Sequence, residues 1–239
     1  MKKKITRFRP IIEEEIARHK YPFPPELIMA LISVESGGKI GEINTSSGAS
    51  GLMQIMPIAL KDFNLRSGQT PLTMQQLQST ADTAAHDQIR IGMWLLSQFW
   101  RGAYRFLKRK MGSVQLSDLV RIADSFYAAG PHRMRQIIGN MPAPTFDNAY
   151  RAFPNSNALG HAKKVWDRAL GAGVKFDEPL IWNWLKRQPS TETTDDSTES
   201  TEPFNRRPAI DGVIFALILI GIGWALFSKG FNHGNKKTA

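Results

Sequence analysis

The stretch Gly51–Pro57 reads GLMQIMP. It sets two methionines and a glutamine, with no charge, between a glycine and a proline, and it begins sixteen positions after Glu35 of the segment SVESGG (residues 33–38). Working outward, the segment PPELIMALISVES (24–36) has prolines where a helix tolerates them at its start, and Gly37 and Gly38 supply the stop. Leu27, Leu31 and Glu35 are spaced by four, with Ile28 and Ile32 beside them, so the acid continues the apolar stripe of this helix. It is then expected to face the core or a cleft. Desolvation and the negative end of the helix both disfavour its carboxylate, which makes Glu35 harder to ionise than a free glutamate. That property suits a general acid at neutral pH. Spacing alone equally admits a solvent-facing glutamate at a frayed helix end.

Helical patterning continues through most of residues 8–188. Ala81–Lys110 reads as one long helix with Ile89, Met93, Leu96, Trp100 and Leu107 on related faces. Further helices fit Leu116–Ala129, His132–Ile138, Ala158–Leu170 and Pro179–Lys186, and no strand signal of comparable strength appears. Loops are expected at 37–51, rich in Gly, Ser and Asn, and at 139–157, where Pro142, Pro144 and Pro154 argue against regular helix. The fold class is mainly α.

The 239 residues divide by composition. Residues 1–188 read as one globular domain. Residues 189–208, beginning PSTETTDDSTESTEP, hold almost no apolar side chain and read as a disordered linker rich in Ser, Thr and acids. Residues 209–229 contain GVIFALILIGIGWALF (Gly212–Phe227), 16 uncharged residues that span roughly 24 Å as helix, the short end of what a bilayer core needs. We read them as one transmembrane helix and the lipid membrane as a partner, with Trp224 and Lys229 as interfacial anchors and 230–239 as a short basic tail.

Charge and chemistry narrow the function further. Up to residue 188 the chain carries 26 Lys and Arg against 15 Asp and Glu, a net +11, which suits a polyanion or an acidic wall polymer. A nucleic-acid partner is not expected, because no basic motif with interleaved aromatics accompanies that charge. There is no cysteine, and His19, His86, His132, His161 and His233 are scattered, each reading as a surface or capping residue. No metal and no cofactor is expected.

Taken together, SVESGG, SSGASGLMQIMP (46–57), IRIGMWLL (89–96) and SFYAAGP (125–131) resemble, in order and spacing, the catalytic domain of soluble lytic transglycosylases over roughly residues 20–170. These are lysozyme-like enzymes that cut peptidoglycan. The resemblance implies a lysozyme-like helical fold with a cleft for alternating amino sugars, and peptidoglycan glycan strands as the substrate. It places Glu35 on the single catalytic acid and base, and Ser36, Thr45, Met53, Gln54, Met56 and Tyr127 among the substrate-binding residues. Uncharged, polarizable methionines beside the acid would hold off solvent, and Gln54 would offer a donor and an acceptor. Three departures stand out. The serine usual before the Gly-Ala pair aligns with Thr45, Ala128 replaces an asparagine next to Tyr127, and Asn157 and His161 stand where Glu and Tyr are usual. These changes are expected to touch outer sugar contacts more than the chemistry.

In the reaction the resemblance implies, Glu35 protonates the oxygen between N-acetylmuramic acid and N-acetylglucosamine, then takes the C6 hydroxyl proton as a 1,6-anhydro ring closes. Glu42 and Asp62, the nearest other acids in sequence, lie in no recognisable motif, which leaves a two-carboxylate hydrolytic lysozyme as the second reading. A membrane-anchored wall-binding protein that has lost activity is the third. A late apolar span behind a long amino-terminal domain would keep the enzyme on the side where it is made. The chain in this respect is similar to virion-associated transglycosylases of membrane-containing phages, with other virion membrane proteins as partners and the virion's internal membrane as its location. A bacterial secretion or conjugation machine is the alternative carrier.

Overall fold

Proline and polar caps decide where many of the helices begin. The computed structural model describes residues 3–187, in which α1 (Lys3–Thr6), α2 (Arg9–His19) and α3 (Pro25–Glu35) are followed by α4 (Pro57–Arg66) and α5 (Met74–Leu77). The long α6 (Asp82–Met111) leads to α7 (Leu116–Ala129), α8 (Pro131–Ile138), α9 (Phe146–Ala152), α10 (Asn157–Gly171) and α11 (Glu178–Arg187). A proline occupies the first turn of α2, α3, α4 and α8, where its missing N–H costs nothing. Thr73, Thr145 and Ser156 cap α5, α9 and α10 through their hydroxyl oxygens.

The mainly helical reading holds, with one correction at 139–157. There α9 forms between Pro144 and Pro154, begun by Thr145 Oγ1 accepting the N–H of Asn148 at 3.3 Å and anchored by buried Phe146 and Ala149. The prolines bracket the helix and therefore do not break it. Among the described residues there is no strand. The closest approach is a pair of antiparallel bridges, Ile43 with Ser50 and Ser50 with Ile55, that folds the 42–55 segment into a narrow double turn.

α6, 30 residues long, is the spine. Its expected stripe of Ile89, Met93, Leu96, Trp100 and Leu107 is no more than 1% exposed. α7 packs on α6 along one side and on α10 along the other, and α10 also lies against α3. The end of α3, the middle of α7 and the start of α10 therefore converge.

The GLMQIMP turn is seated on α6 at two points. Gly51 has φ +79°, and a Cβ there would come 2.2 Å from Cδ of Gln88, so both its conformation and its contact demand glycine. Gly92 receives the Met53 side chain: a Cβ at Gly92 would meet Met53 Sδ at 2.2 Å and its Cβ at 2.9 Å. The thioether end can swing away, but the Met53 Cβ cannot. Gly92→Ala is thus expected to be destabilising despite the ~1 kcal/mol that alanine gains in helix propensity, because overpacking costs about 1–3 kcal/mol. A thermal melt should show Tm lower by a few degrees; an unchanged or higher Tm would mean that Met53 is not seated tightly.

Among the described residues no helix is long and apolar enough to cross a membrane. The linker expected at 189–208, the span at 209–229 and the tail at 230–239 lie outside the described residues.

Candidate active site

Glu35 is the last residue of α3, after a stripe in which Leu27, Ile28, Leu31 and Ile32 are buried. Its side chain is 15% exposed and lines a hollow of about 610 Å³. Gln54, Met56 and Tyr127 line the same hollow, as do Asn44 and Ser47. A second hollow of about 430 Å³ adjoins it and shares Gln54, Met56 and Tyr127, and beyond them it is flanked by Asp62, Arg66 and Arg105. The two form a groove on either side of one shared wall, a shape suited to an extended ligand.

Each element of that wall is held by named bonds. Ser36 Oγ donates to the Leu52 carbonyl at 2.9 Å and accepts the Gly38 N–H at 3.1 Å, which ties the end of α3 to the turn. Tyr127 Oη donates to the Met53 carbonyl at 2.7 Å, tying the turn to α7. Gln88, fully buried on α6, accepts the Leu52 N–H at 2.8 Å and donates to the carbonyls of Ile40 at 3.0 Å and Leu77 at 2.6 Å. Gln54 itself sits at φ +47°, a left-handed conformation costly to a residue with a side chain, while its Nε2 donates to the Gly51 carbonyl at 3.1 Å.

The expected binding residues therefore separate. Gln54, Met56 and Tyr127 reach the groove with Glu35. Ser36 and Met53 do not: Ser36 is buried and used up in fixing the turn, and Met53, 0% exposed, is core beneath it. Thr45 also falls away. The Asn44 side-chain carbonyl accepts the N–H groups of Ser46 at 3.1 Å and Ser47 at 3.2 Å, a turn that leaves Thr45 exposed and puts Ser47 on the groove.

The larger correction is His161. It is neither a surface nor a capping residue, and it does not sit among outer contacts. α10 lays it between two carboxylates, with Nδ1 3.0 Å from Asp124 Oδ2 and Nε2 3.0 Å from Glu35 Oε1. The Asp124 contact is a hydrogen bond. The Glu35 contact is an ion pair at the same distance. Asp124, 4% exposed, is a buried charge whose partner is this imidazole. By contrast Glu42 pairs with Lys39 at the protein surface, and Asp62, on the second hollow, pairs with Arg66. The second carboxylate nearest the acid in space is one that sequence distance does not suggest.

Burial alone would push the His161 imidazolium down, but the charges of Asp124 and Glu35 overcome it and hold its pKa well above the ordinary 6.5. Burial, with the Glu35 and Asp124 charges, likewise drives the Tyr127 phenol well above 10, so it stays neutral and keeps its proton for Met53. The sign for stability follows from linkage. A histidine raised in the folded state contributes stabilisation that is full below its unfolded value of about 6.5, while its carboxylate partners are ionised, and that is lost as pH rises through the folded value. The melting temperature is expected to fall across that upper range, and the slope to flatten in Asp124→Asn; a flat profile in the parent protein would contradict the buried ion pair.

Residues 13–148 match the family described as the transglycosylase SLT domain. The chain belongs to this family. Membership supports peptidoglycan cleavage of the lytic transglycosylase type, and the SLT match includes Glu35, Gln54, Met56, Asp124 and Tyr127. His161 on α10 lies beyond the matched residues of the SLT domain. Neither a curated protein nor a solved structure matches the chain. Among the described residues of the SLT domain and the helices after it, no group of three or more His, Asp or Glu side chains is arranged to hold a metal ion.

Proposed function

We propose that this SLT-domain protein is a peptidoglycan lytic transglycosylase that cuts the β-1,4 bond between N-acetylmuramic acid and N-acetylglucosamine, with Glu35 as both acid and base. The observation that carries the reading is that Glu35 is the one carboxylate lining the first hollow, at the end of an apolar helix and beside the shared wall of Gln54, Met56 and Tyr127. Hydrolysis by the usual route needs a second carboxylate across the scissile bond. Asp124 stands behind His161 and does not line the hollow, and Asp62, in the second hollow, is paired with Arg66.

In the proposed reaction Glu35 gives its proton to the glycosidic oxygen as the bond to the muramic C1 breaks. The Glu35 carboxylate then takes the proton of the C6 hydroxyl while O6 closes on C1, so the acid is regenerated and no water is consumed. Mass spectrometry of fragments released from purified peptidoglycan tests this: 1,6-anhydromuramic ends are expected. Reducing ends, heavier by one water, would make the protein a lysozyme, and no release at all would make it a wall-binding protein.

We also propose that the protein works tethered, as a single-pass protein of the internal membrane of a phage particle, opening the wall locally for delivery of the genome. The support is the uncharged run Gly212–Phe227 behind the Ser/Thr/acid-rich segment 189–208 and the basic character of residues 1–188. Co-fractionation of the full chain with lipid from purified particles is expected; recovery from host envelope fractions alone would overturn this location.

A further inference from the structure

His161 puts a titratable base at the centre of the site, 3.0 Å from Glu35 and from Asp124. Its neighbours come from two other helices. α3 supplies Glu35, and α7 supplies Asp124 and the neutral Tyr127. α9, which also packs on α10, directs its charges elsewhere, Asp147 to Arg121 and Arg151 to Asn148. Arg133 of α8 lines the same hollow. The charges that act on the imidazole are thus Asp124 behind it and Glu35 in front.

We infer that Asp124 and His161 form a buried support for Glu35, in which His161 is a positioning residue that fixes the carboxylate and balances its charge between the two proton transfers. The inference rests on reading Glu35 as the acid and base. Four observations carry it. The two contacts are both 3.0 Å, and His161 bridges the carboxylates through its two different nitrogens. Asp124 is almost wholly buried and bonds Nδ1, which fixes the ring's orientation and leaves Nε2 toward Glu35. Nε2 is buried, and the charged group it meets is the Glu35 carboxylate. The first hollow has one carboxylate, Glu35, which after protonating the leaving oxygen must persist as an anion in a partly desolvated place. An imidazolium at 3.0 Å opposes that cost, because a unit charge at such range outweighs any surface ion in the groove.

The proton balance closes within this scheme. The reaction starts from the form in which the Glu35 carboxylate has taken a proton from solvent beside the His161 imidazolium; His161 keeps its proton throughout, the Glu35 proton passes to the glycosidic oxygen, and the C6 hydroxyl proton replaces it on Glu35. Loss of the His161 proton at high pH would remove the opposing charge and slow the reaction. A histidine that merely satisfied Asp124 would leave the pH profile of the reaction where it was.

The test has two arms, both on the full chain in detergent micelles. In the first, selective ¹⁵N-histidine labelling follows the His161 ring through a pH titration with no substrate present. Its midpoint is expected above the ordinary value, and lower in both Glu35→Gln and Asp124→Asn. An ordinary midpoint, unmoved by Glu35→Gln, overturns the inference. In the second arm, kcat and KM for fragment release are measured against pH. His161→Gln is expected to lower kcat about 10- to 100-fold with KM little changed, and to move the alkaline limb, which ionisation of the Glu35 acid sets, to higher pH as the neighbouring positive charge is lost. A limb that stays where it is in the parent protein, or a KM effect alone, overturns it. Should His161→Gln fail to fold, Asp124→Asn must still lower kcat with KM little changed and move the alkaline limb. If the parent protein releases nothing from peptidoglycan, the transglycosylase reading fails by itself, while the first arm still decides whether His161 is coupled to Glu35.

Discussion

Glu35→Gln is expected to lower fragment release ~10³-fold or more while leaving the protein folded. Glutamine has nearly the shape of glutamate, so the end of α3 and the Ser36 tie to Leu52 should survive. It cannot deliver a proton to the glycosidic oxygen or receive one from the C6 hydroxyl. General acid or base help contributes about 10²–10⁴-fold where it acts, and here one residue serves both steps, so nothing in the first hollow is placed to substitute. KM should change little, since Gln54, Met56 and Tyr127 still form the wall. A Glu35→Gln protein within tenfold of the parent would place the acid elsewhere and sink the single-carboxylate mechanism.

The second large effect is on stability. Gln88→Leu keeps roughly the volume of a fully buried side chain but removes three hydrogen bonds at once. It strands the Leu52 N–H and the carbonyls of Ile40 and Leu77. Each buried group left without a partner costs about 1–3 kcal/mol, so a total loss of roughly 3–6 kcal/mol is expected, a large part of an ordinary domain's margin. Urea denaturation should show the midpoint falling with little change in slope. Because Leu52 is two residues from Gln54, activity should fall below the transition too, as the turn loses its seat on α6. A loss under about 1 kcal/mol would mean that water replaces the amide, and that the turn is held by Ser36 and Tyr127 instead.

Much of this architecture is legible in the chain. The stripe of α6 announces itself by spacing, and so does the turning of Glu35 from solvent, because both depend only on the period of one helix. The rule that draws attention to Glu35 applies equally to Asp124, four residues after buried Val120, and to His161, four before buried Val165. What spacing cannot show is that the three faces meet. That depends on α10 lying across both α3 and α7, a matter of packing between residues far apart in sequence. The misreading of Thr45 has another cause: a loop has no period, and which of Thr45 and Ser47 faces the groove is decided by the two bonds to the Asn44 carbonyl. α9 is hidden for a third reason, since prolines near a short helix look from sequence like prolines within one.

The backbone of Gln54 sets durability against use. At φ +47° a glycine or asparagine would rest more easily than glutamine, by about 1 kcal/mol for a left-handed residue. Yet the glutamine side chain is what this position presents to both hollows. Under the function proposed above, selection for heat resistance alone would drift toward the smaller residue and wear away the grip on the polymer, so position 54 is where a tougher variant would pay with a duller blade.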